Sequence, residues 1–179
     1  MARSGFAADH FRAYGTDTGV WKHTLFSHEL QYLRFLRKRQ RVSGGFLRRW
    51  YALRQIRFDR KYGLTILTDR IGDGLYLGHG HGINVEEDCV IGKNCNLSKN
   101  CTLGRVMRGE KKGSPVLGDN VWVGTGAMVL GRITIGDDVL IAPNACVTED
   151  VPAHSVVSGN PCVIRHRENA TEGYINHTV

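Results

Sequence analysis

Residues 117–151 read LGDNVWVGTGAMVLGRITIGDDVLIAPNACVTEDV, and an aliphatic residue occupies every sixth position of this stretch. The leading positions are Leu117, Val123, Val129, Ile135, Ile141 and Val147. A small or aliphatic residue follows each of them four places later. A six-residue period is typical of neither an α-helix nor a half-buried strand, and it predicts a parallel β-helix. Three such units form one triangular coil, and coils stack at about the 4.8 Å strand spacing.

The same period continues upstream and brings three of the five cysteines into the predicted core. Its leading positions there are Val85, Ile91, Leu97 and Leu103, and its second positions are Cys89, Cys95 and Cys101. Each of these cysteines falls on a different wall of the coil, and no CxxC pair is present. We therefore interpret them as small buried hydrophobic residues in a reducing compartment rather than as zinc ligands.

The repeat is interrupted twice. Leu77 and Val85 are eight residues apart instead of six, so a corner with two extra residues must bulge and carry His79 and His81 outward. A gap of fourteen residues separates Leu103 from Leu117, so residues 105–115 must leave the body as a loop. Excursions from a rigid scaffold are frequent sites of function.

Residues 1–62 lack the repeat and carry apolar spacings typical of helices, with Ser43-Gly44-Gly45 between two of them. The segment between Arg34 and Lys61 holds eleven of the 24 basic residues and one acid, Asp59. Two interpretations remain open. One is a solvated helix face whose aromatic stripe packs on a neighbouring subunit. The other is a surface that meets anionic lipid or a lipid-linked glycan.

The formal charge of +7 predicts an anionic partner, but no stacking or groove-binding motif accompanies it, so nucleic acid is not expected. No stretch approaches the roughly 18 apolar residues of a membrane span. We expect a cytoplasmic protein, with peripheral contact at the inner face of the membrane as the further option. The predicted organisation is a basic helical segment over 1–62, a β-helix domain over 63–164 and a C-terminal tail over 165–179.

The run from Ile71 to Pro161 resembles the hexapeptide-repeat acyltransferases, and most closely their serine acetyltransferase branch. The matching motifs are Ile71-Gly72-Asp73-Gly74, Gly78-His79-Gly80-His81-Gly82, Thr102-Leu103-Gly104, Pro115 and Gly159-Asn160-Pro161. The resemblance implies a mainly β fold, a left-handed parallel β-helix with a short α-helical N-terminal segment. It also implies a homotrimer that uses acetyl-CoA as co-substrate and requires no metal.

In that branch a histidine at the position of His79 is the general base of acetyl transfer. A neutral imidazole can take the proton of a hydroxyl while its oxygen attacks the thioester carbonyl. His81 could orient or assist it. The resemblance also implies a coenzyme site along a prism edge between two subunits, with these matching positions: Gly104, Arg105, Thr125, Pro143 and Thr148. Arg165 would have to replace the basic residue that relatives carry shortly after the closing proline.

The chain departs from the branch at the residues that hold serine. The acid before the catalytic histidine is Gly78 here, and the Arg-His pair before the loop proline is Gly113-Ser114. The aspartate that orients the histidine falls on Leu64, for which a backbone carbonyl is the simplest replacement. Because burying an unpaired ammonium or carboxylate is costly, we expect a saccharide hydroxyl of a surface polysaccharide as acceptor, bound by His81, Arg108 and Ser114.

The cationic loop with Arg105, Arg108, Lys111 and Lys112 could contact an acidic sugar or a nucleotide or lipid diphosphate. It could equally hold the CoA phosphates or be solvated. Three other functions remain as alternatives. These are a serine acetyltransferase with an altered pocket, a non-catalytic β-helix scaffold and a γ-class carbonic anhydrase. The last is disfavoured, because it needs three zinc histidines and only His79 and His81 lie near a plausible site.

Overall fold

The computed structural model describes residues 3–179, so the first two residues of the predicted segment 1–62 lie outside it. Four helices precede the first strand: α1 Phe6–Tyr14, α2 Val20–Phe26, α3 His28–Arg41 and α4 Gly45–Tyr62. Ser27 is the N-cap of helix α3, and its Oγ accepts a hydrogen bond from the backbone N–H of Leu30 at 3.2 Å. Gly63 is the C-cap of helix α4 and adopts the left-handed conformation that favours glycine.

None of these four helices combines the length and apolar character that crossing a membrane requires. The cytoplasmic location stays a prediction.

The strands are short and follow one another around the coil. Their bounds are β1 Thr65–Ile66, β2 Tyr76–Gly78, β3 Asn84–Val85, β4 Val90–Ile91, β5 Asn96–Ser98, β6 Thr102–Gly104, β7 Val116–Leu117, β8 Val121–Val123, β9 Met128–Leu130, β10 Thr134–Ile135, β11 Val139–Ile141, β12 Cys146–Val147, β13 Ser155–Ser158 and β14 Val163–His166.

These strands form three sheets, which are the three walls of a parallel β-helix. Sheet 1 has the order β1-β3-β6-β9-β12, sheet 2 has β10-β7-β4, and sheet 3 has β14-β13-β11-β8-β5-β2. Every pair is parallel except β13 with β14. Leu97 aligns with Leu77 in one neighbouring coil and Val123 in the next, so equivalent positions stack. The predicted β-helix is confirmed.

The core consists of the residues that the six-residue period selects. Between Val85 and Val151, the leading aliphatic positions and the positions four residues after them are at most 3 % exposed. Cys89, Cys95 and Cys101 are among these buried residues. Burying one Val, Leu or Ile side chain contributes about 1.5–3 kcal/mol, so the stacked apolar column supplies most of the driving force for this fold. Burial also raises the pKa of the Cys89 thiol to about 11 and that of Cys95 to about 12.

Short polar residues form many of the coil corners. Asn100 and Asn144 have φ of 59° and 58°, in the left-handed region that asparagine tolerates better than most side chains. His79 adopts the same kind of backbone, with φ of 55°.

Both predicted interruptions are present. The inward residues Leu77 and Ile83 are six apart at the first corner, where Leu97 and Cys101 of the next coil are four apart. The side chains of His79 and His81 are exposed on the resulting bulge. At the second interruption, between β6 and β7, residues 105–115 project from the coil as a narrow hairpin. An antiparallel bridge between Val106 and Gly113 closes it. We call these residues the 105–115 loop.

The chain after β13 turns back along sheet 3 as β14 and then runs over the outside of the coil. Asp138 holds this tail, because its carboxylate accepts hydrogen bonds from Thr171 Oγ1 at 2.7 Å, Thr171 N at 3.0 Å and Ala170 N at 2.9 Å. Burial alone would raise the pKa of Asp138. These bonds and one from His154 outweigh burial and hold the pKa below its ordinary value.

The N-terminal helices are fixed to the first coil by a buried ion pair. Arg37 of α3 binds the carboxylate of Asp9 of α1 at 2.7 Å, and both side chains are almost fully buried. The same guanidinium donates to the backbone carbonyls of Ile71 at 3.0 Å and Gly72 at 2.7 Å. Removing one partner of such a pair leaves an uncompensated buried charge. This attachment sets where the N-terminus of α3 meets the His79 corner.

Candidate active site

His79 lies on the edge where the chain passes from sheet 3 to sheet 1, which we call the His79 edge. It lines a cavity of about 280 Å³ together with Tyr76 of β2 and residues of the N-terminal helical segment, among them Tyr14, Ser27 and Glu29. No hydrogen bond to its imidazole is present within residues 3–179, so the backbone carbonyl expected to orient it is not seen there.

Glu29, in the first turn of α3, places a carboxylate beside the histidine corner. Its Oε1 accepts a hydrogen bond from the backbone N–H of Gly80, the residue after His79, at 3.2 Å. Its Oε2 accepts one from Ser27 Oγ at 2.8 Å. Burial alone would raise the pKa of Glu29, but hydrogen bonds from its own backbone N–H, Ser27 and Gly80 and the nearby His28 hold the pKa below its ordinary value. The site therefore carries a negative charge at neutral pH.

An aromatic cluster holds the other side of the corner. The ring of His28 stacks on Tyr62 with 4.2 Å between centroids and meets His81 edge-on at 4.9 Å. His28 Nε2 also lies 3.1 Å from the carbonyl oxygen of Gly80. His81 meets His28 and Tyr62 edge-on while remaining exposed, and the described residues that line the cavity of His79 do not include it.

Gly80 permits this close approach. A Cβ at Gly80 would lie 2.7 Å from Cγ of Glu29, closer than real side chains come. The glycine between the two histidines is therefore required by the packing of α3 against the corner.

The sequence-predicted coenzyme residues divide between two edges of the prism. Thr125, after β8, and Pro143, after β11, lie on the His79 edge. The edge between sheets 1 and 2 carries Gly104 and Arg105 at the end of β6, and Thr148 after β12. We call it the loop edge, because the 105–115 loop leaves there. Sheet 1 separates the two edges within a single chain, so one protomer does not bring these residues together.

The remaining predicted residues also lie away from His79. Arg108 is exposed on the 105–115 loop, and Arg105 beside it forms an ion pair with Asp88 at 3.1 Å. Ser114 is 8 % exposed, and its Oγ has no hydrogen-bond partner within residues 3–179. Arg165 lies on β14 in sheet 3. Within residues 3–179 no group of three or more His, Cys, Asp or Glu side chains could hold a metal ion.

The positions where this chain departs from the serine acetyltransferase pattern have clear structural consequences. Leu64 is fully buried in the core and contributes nothing to the cavity. A Cβ at Gly78 would meet Ser98 at 3.6 Å and the Tyr76 ring at 3.7 Å, which are ordinary contacts. A Cβ atom would therefore fit at Gly78 without a clash. Gly113 packs against the stem of Arg132, with Cβ atoms 3.0 Å apart once a Cβ is placed on the glycine.

Sequence reasoning missed Ser27, His28, Glu29 and Tyr62 of this site, as well as the tyrosines Tyr14 and Tyr76 that line the cavity. The signal for three of them was present, because Ser27 is a preferred N-cap residue directly before the apolar run of α3. That signal predicts a helix start with an acid in its first turn. It does not predict that this turn packs on a corner 50 residues later in the chain.

Comparison with known proteins identifies a common family of relatives. Residues 114–149 match the model of the bacterial transferase hexapeptide (six repeats). The chain is 42 % identical over 91 residues to serine acetyltransferase of Helicobacter pylori, covering 51 % of this chain and 53 % of that protein. It is 36 % identical over 108 residues to serine acetyltransferase 2 of Arabidopsis thaliana, covering 60 % of this chain and 33 % of that protein.

A solved structure extends the similarity to the N-terminal helices. Serine acetyltransferase of Neisseria gonorrhoeae in complex with serine superposes with a TM-score of 0.74 at 28 % identity, covering 89 % of this chain and 67 % of that one. This chain spans about a third to a half of the length of the curated relatives it matches.

These relatives overturn the expected acceptor. The sequence interpretation favoured a polysaccharide sugar, since Gly78 replaces the acid before the catalytic histidine and Gly113-Ser114 replaces the Arg-His pair before the loop proline. The matched proteins are serine acetyltransferases, and Glu29 supplies a carboxylate at the corner. The prediction of a sugar acceptor is therefore wrong, and the alternative of a serine acetyltransferase with an altered pocket is favoured. The chain carries the hexapeptide repeats of bacterial transferases and is similar to serine acetyltransferases across its β-helix and N-terminal helices.

Proposed function

We propose that this chain transfers an acetyl group from acetyl-CoA to the hydroxyl of L-serine, with His79 as the general base. The observation that carries the proposal is the cavity shared by His79 and Glu29, a proton acceptor and a carboxylate at one corner. Its volume of about 280 Å³ lies at the small end of ligand pockets, which suits a small amino acid. The serine-bound relative supports the same acceptor.

The proposed acetyl transfer needs one side chain that accepts a proton and later returns it. The His79 imidazole takes the hydroxyl proton as the serine oxygen attacks the thioester carbonyl, and it returns that proton to the departing CoA thiolate. The products are O-acetylserine and CoA, and no protein nucleophile is required. The exposed position of His79 on the bulged corner leaves its ring open to both substrates.

Glu29 is the proposed partner of the serine ammonium. The carboxylate is ionised at neutral pH and is held by Ser27 and Gly80, so it is already oriented before serine binds. A cation for the serine carboxylate is absent from the described residues that line the cavity. We assign that role to the 105–115 loop of a neighbouring subunit, where Arg108 is exposed.

The division of the coenzyme residues supports a homotrimer. Thr125 and Pro143 share an edge with His79, whereas Gly104, Arg105 and Thr148 share the loop edge. When prisms associate side by side, the His79 edge of one subunit faces the loop edge of the next. The groove between them would hold acetyl-CoA, and the basic loop would meet its phosphates.

The test compares wild type with His79→Asn, which preserves the size and polarity of the side chain. We expect His79→Asn to lose at least about 100-fold in kcat with L-serine, the scale of general-base catalysis. Isothermal titration should show unchanged CoA affinity. Near-normal turnover of the folded variant would refute the role of His79, and no CoA binding by the wild type at millimolar coenzyme would favour the scaffold alternative.

A further inference from the structure

Helix α4 presents large apolar side chains to solvent. Phe46 is 81 % exposed, Leu53 62 % and Trp50 37 %, and their spacing of i, i+4 and i+7 places them on one side of the helix. Leu47 beside them is 54 % exposed. Because Gln55 is the buried residue of α4, this helix contributes little to the core of its own chain. Contiguous exposed apolar residues of this kind mark interaction surfaces.

A basic groove runs along the same helix. It has a volume of about 330 Å³ between α3 and α4, and Arg54, Arg57 and Lys61 line it above the aromatic rings of Phe35 and Phe58. The three cationic side chains are exposed. The guanidinium of Arg54 also lies 4.7 Å from the Trp50 ring centre, which joins the groove to the apolar stripe.

The charge of α4 restricts what can cover this face. The helix carries six basic residues and one acid, Asp59, which is partly buried. A second copy of the same face would bring like charges together, and a neutral apolar partner would leave the cations unpaired. A helix of 18 residues is about 27 Å long. A partner with an extended anionic surface and an apolar interior complements both the exposed apolar side chains and the basic groove of α4.

We propose that α4 lies in the interface of an anionic phospholipid bilayer. Phe46, Trp50 and Leu53 enter the boundary between headgroups and acyl chains, while Arg54, Arg57 and Lys61 bind lipid phosphates. Each basic residue near such a surface contributes about 1 kcal/mol. This inference is independent of the acetyl acceptor, and it adopts the second of the two interpretations that the basic segment left open.

The test is co-sedimentation of the full chain with vesicles of phosphatidylcholine alone or with 30 % phosphatidylglycerol. We expect binding to the anionic vesicles only. Arg54→Gln combined with Arg57→Gln removes two surface charges and should weaken this binding about 30-fold. The matched control, Lys93→Gln with Arg167→Gln, removes two exposed charges from the β-helix and tail and should bind within about twofold of wild type.

A second variant, Phe46→Ser with Leu53→Ser, tests the apolar stripe. Both side chains are already exposed, so the fold should persist by circular dichroism while vesicle binding falls at least tenfold. Equal binding of wild type to neutral and anionic vesicles would overturn the proposal, as would wild-type binding by the Arg54→Gln, Arg57→Gln variant. Retention on heparin that depends on these arginines, without vesicle binding, would assign the surface to an acidic polymer instead.

Discussion

Replacing Glu29 by glutamine tests the acceptor site in a single side chain. The substitution keeps the size of the group and removes its charge. In the wild type the Glu29 carboxylate accepts hydrogen bonds from Ser27 and Gly80, and it remains ionised because these bonds outweigh its burial. We expect the variant to fold, since the amide oxygen can still accept one of those bonds, but to bind an ammonium poorly.

The size of the effect follows from the contact that is lost. A hydrogen bond to a charged group contributes about 1.5–3 kcal/mol, which corresponds to roughly 10- to 150-fold in affinity. The Glu29 side chain is 23 % exposed, so solvent screens part of this interaction. We therefore expect the KM for L-serine to rise about 10- to 30-fold, in the lower part of that range, with a smaller change in kcat.

The assay measures thiol release from acetyl-CoA with L-serine and with 3-hydroxypropionate, which keeps the hydroxyl and carboxylate but lacks the ammonium. Glu29→Gln should raise the KM for L-serine and leave the KM for 3-hydroxypropionate unchanged. Glu172→Gln removes an exposed acid from the tail and is the matched control. An unchanged serine KM, or an equal loss with both acceptors, would show that Glu29 only positions the corner and does not bind the ammonium.

Three further predictions concern the pocket, the tail and the core. Gly78→Asp should lower the KM for serine about tenfold, because a Cβ at Gly78 makes only ordinary contacts and a second carboxylate next to His79 would attract the ammonium; an unchanged KM in a folded variant would contradict this. Asp138→Asn should speed amide hydrogen exchange in residues 167–179. The depressed pKa of Asp138 means that its stabilising effect is present above about pH 3.8 and is lost as pH falls through the folded-state pKa. Rapid labelling of native protein by a thiol reagent should be confined to Cys146 and Cys162, and fast modification of a third thiol would refute the buried core.

The fold could be predicted because every six-residue repeat carries the same two inward-facing positions. Val123 and Ala127 each need only be apolar or small to face the core, and the same requirement returns six residues later. The two interruptions could be predicted equally well. Leu77 and Val85 are eight residues apart where the period is six, so the extra residues must lie outside the coil.

Only part of the candidate site could be predicted from the sequence. His79 could be singled out from its corner, but Glu29 lies 50 residues earlier in a helix whose docking depends on the buried Arg37–Asp9 pair. No local pattern encodes that long-range contact. The acceptor was misassigned for the same reason, because the absence of an acid at Gly78 was visible in the sequence while the carboxylate of Glu29 at the corner was not.

The coenzyme residues show a different limit. Thr125 and Pro143 are 18 residues apart, which is one coil of three six-residue units, so the repeat places them on one edge and places Thr148, five residues after Pro143, on the next edge. The separation onto two edges could therefore be predicted, but not which edges of neighbouring prisms meet. This separation makes the proposed site depend on two subunits, so analytical ultracentrifugation of the full chain bears directly on it.

The most direct test of the central claim is mass spectrometry of the product formed from acetyl-CoA and L-serine by the purified chain. We expect O-acetylserine, formed in step with free CoA and absent with His79→Asn. Acetyl transfer to other hydroxyl compounds with none to L-serine, or O-acetylserine formed equally by His79→Asn, would contradict the claim.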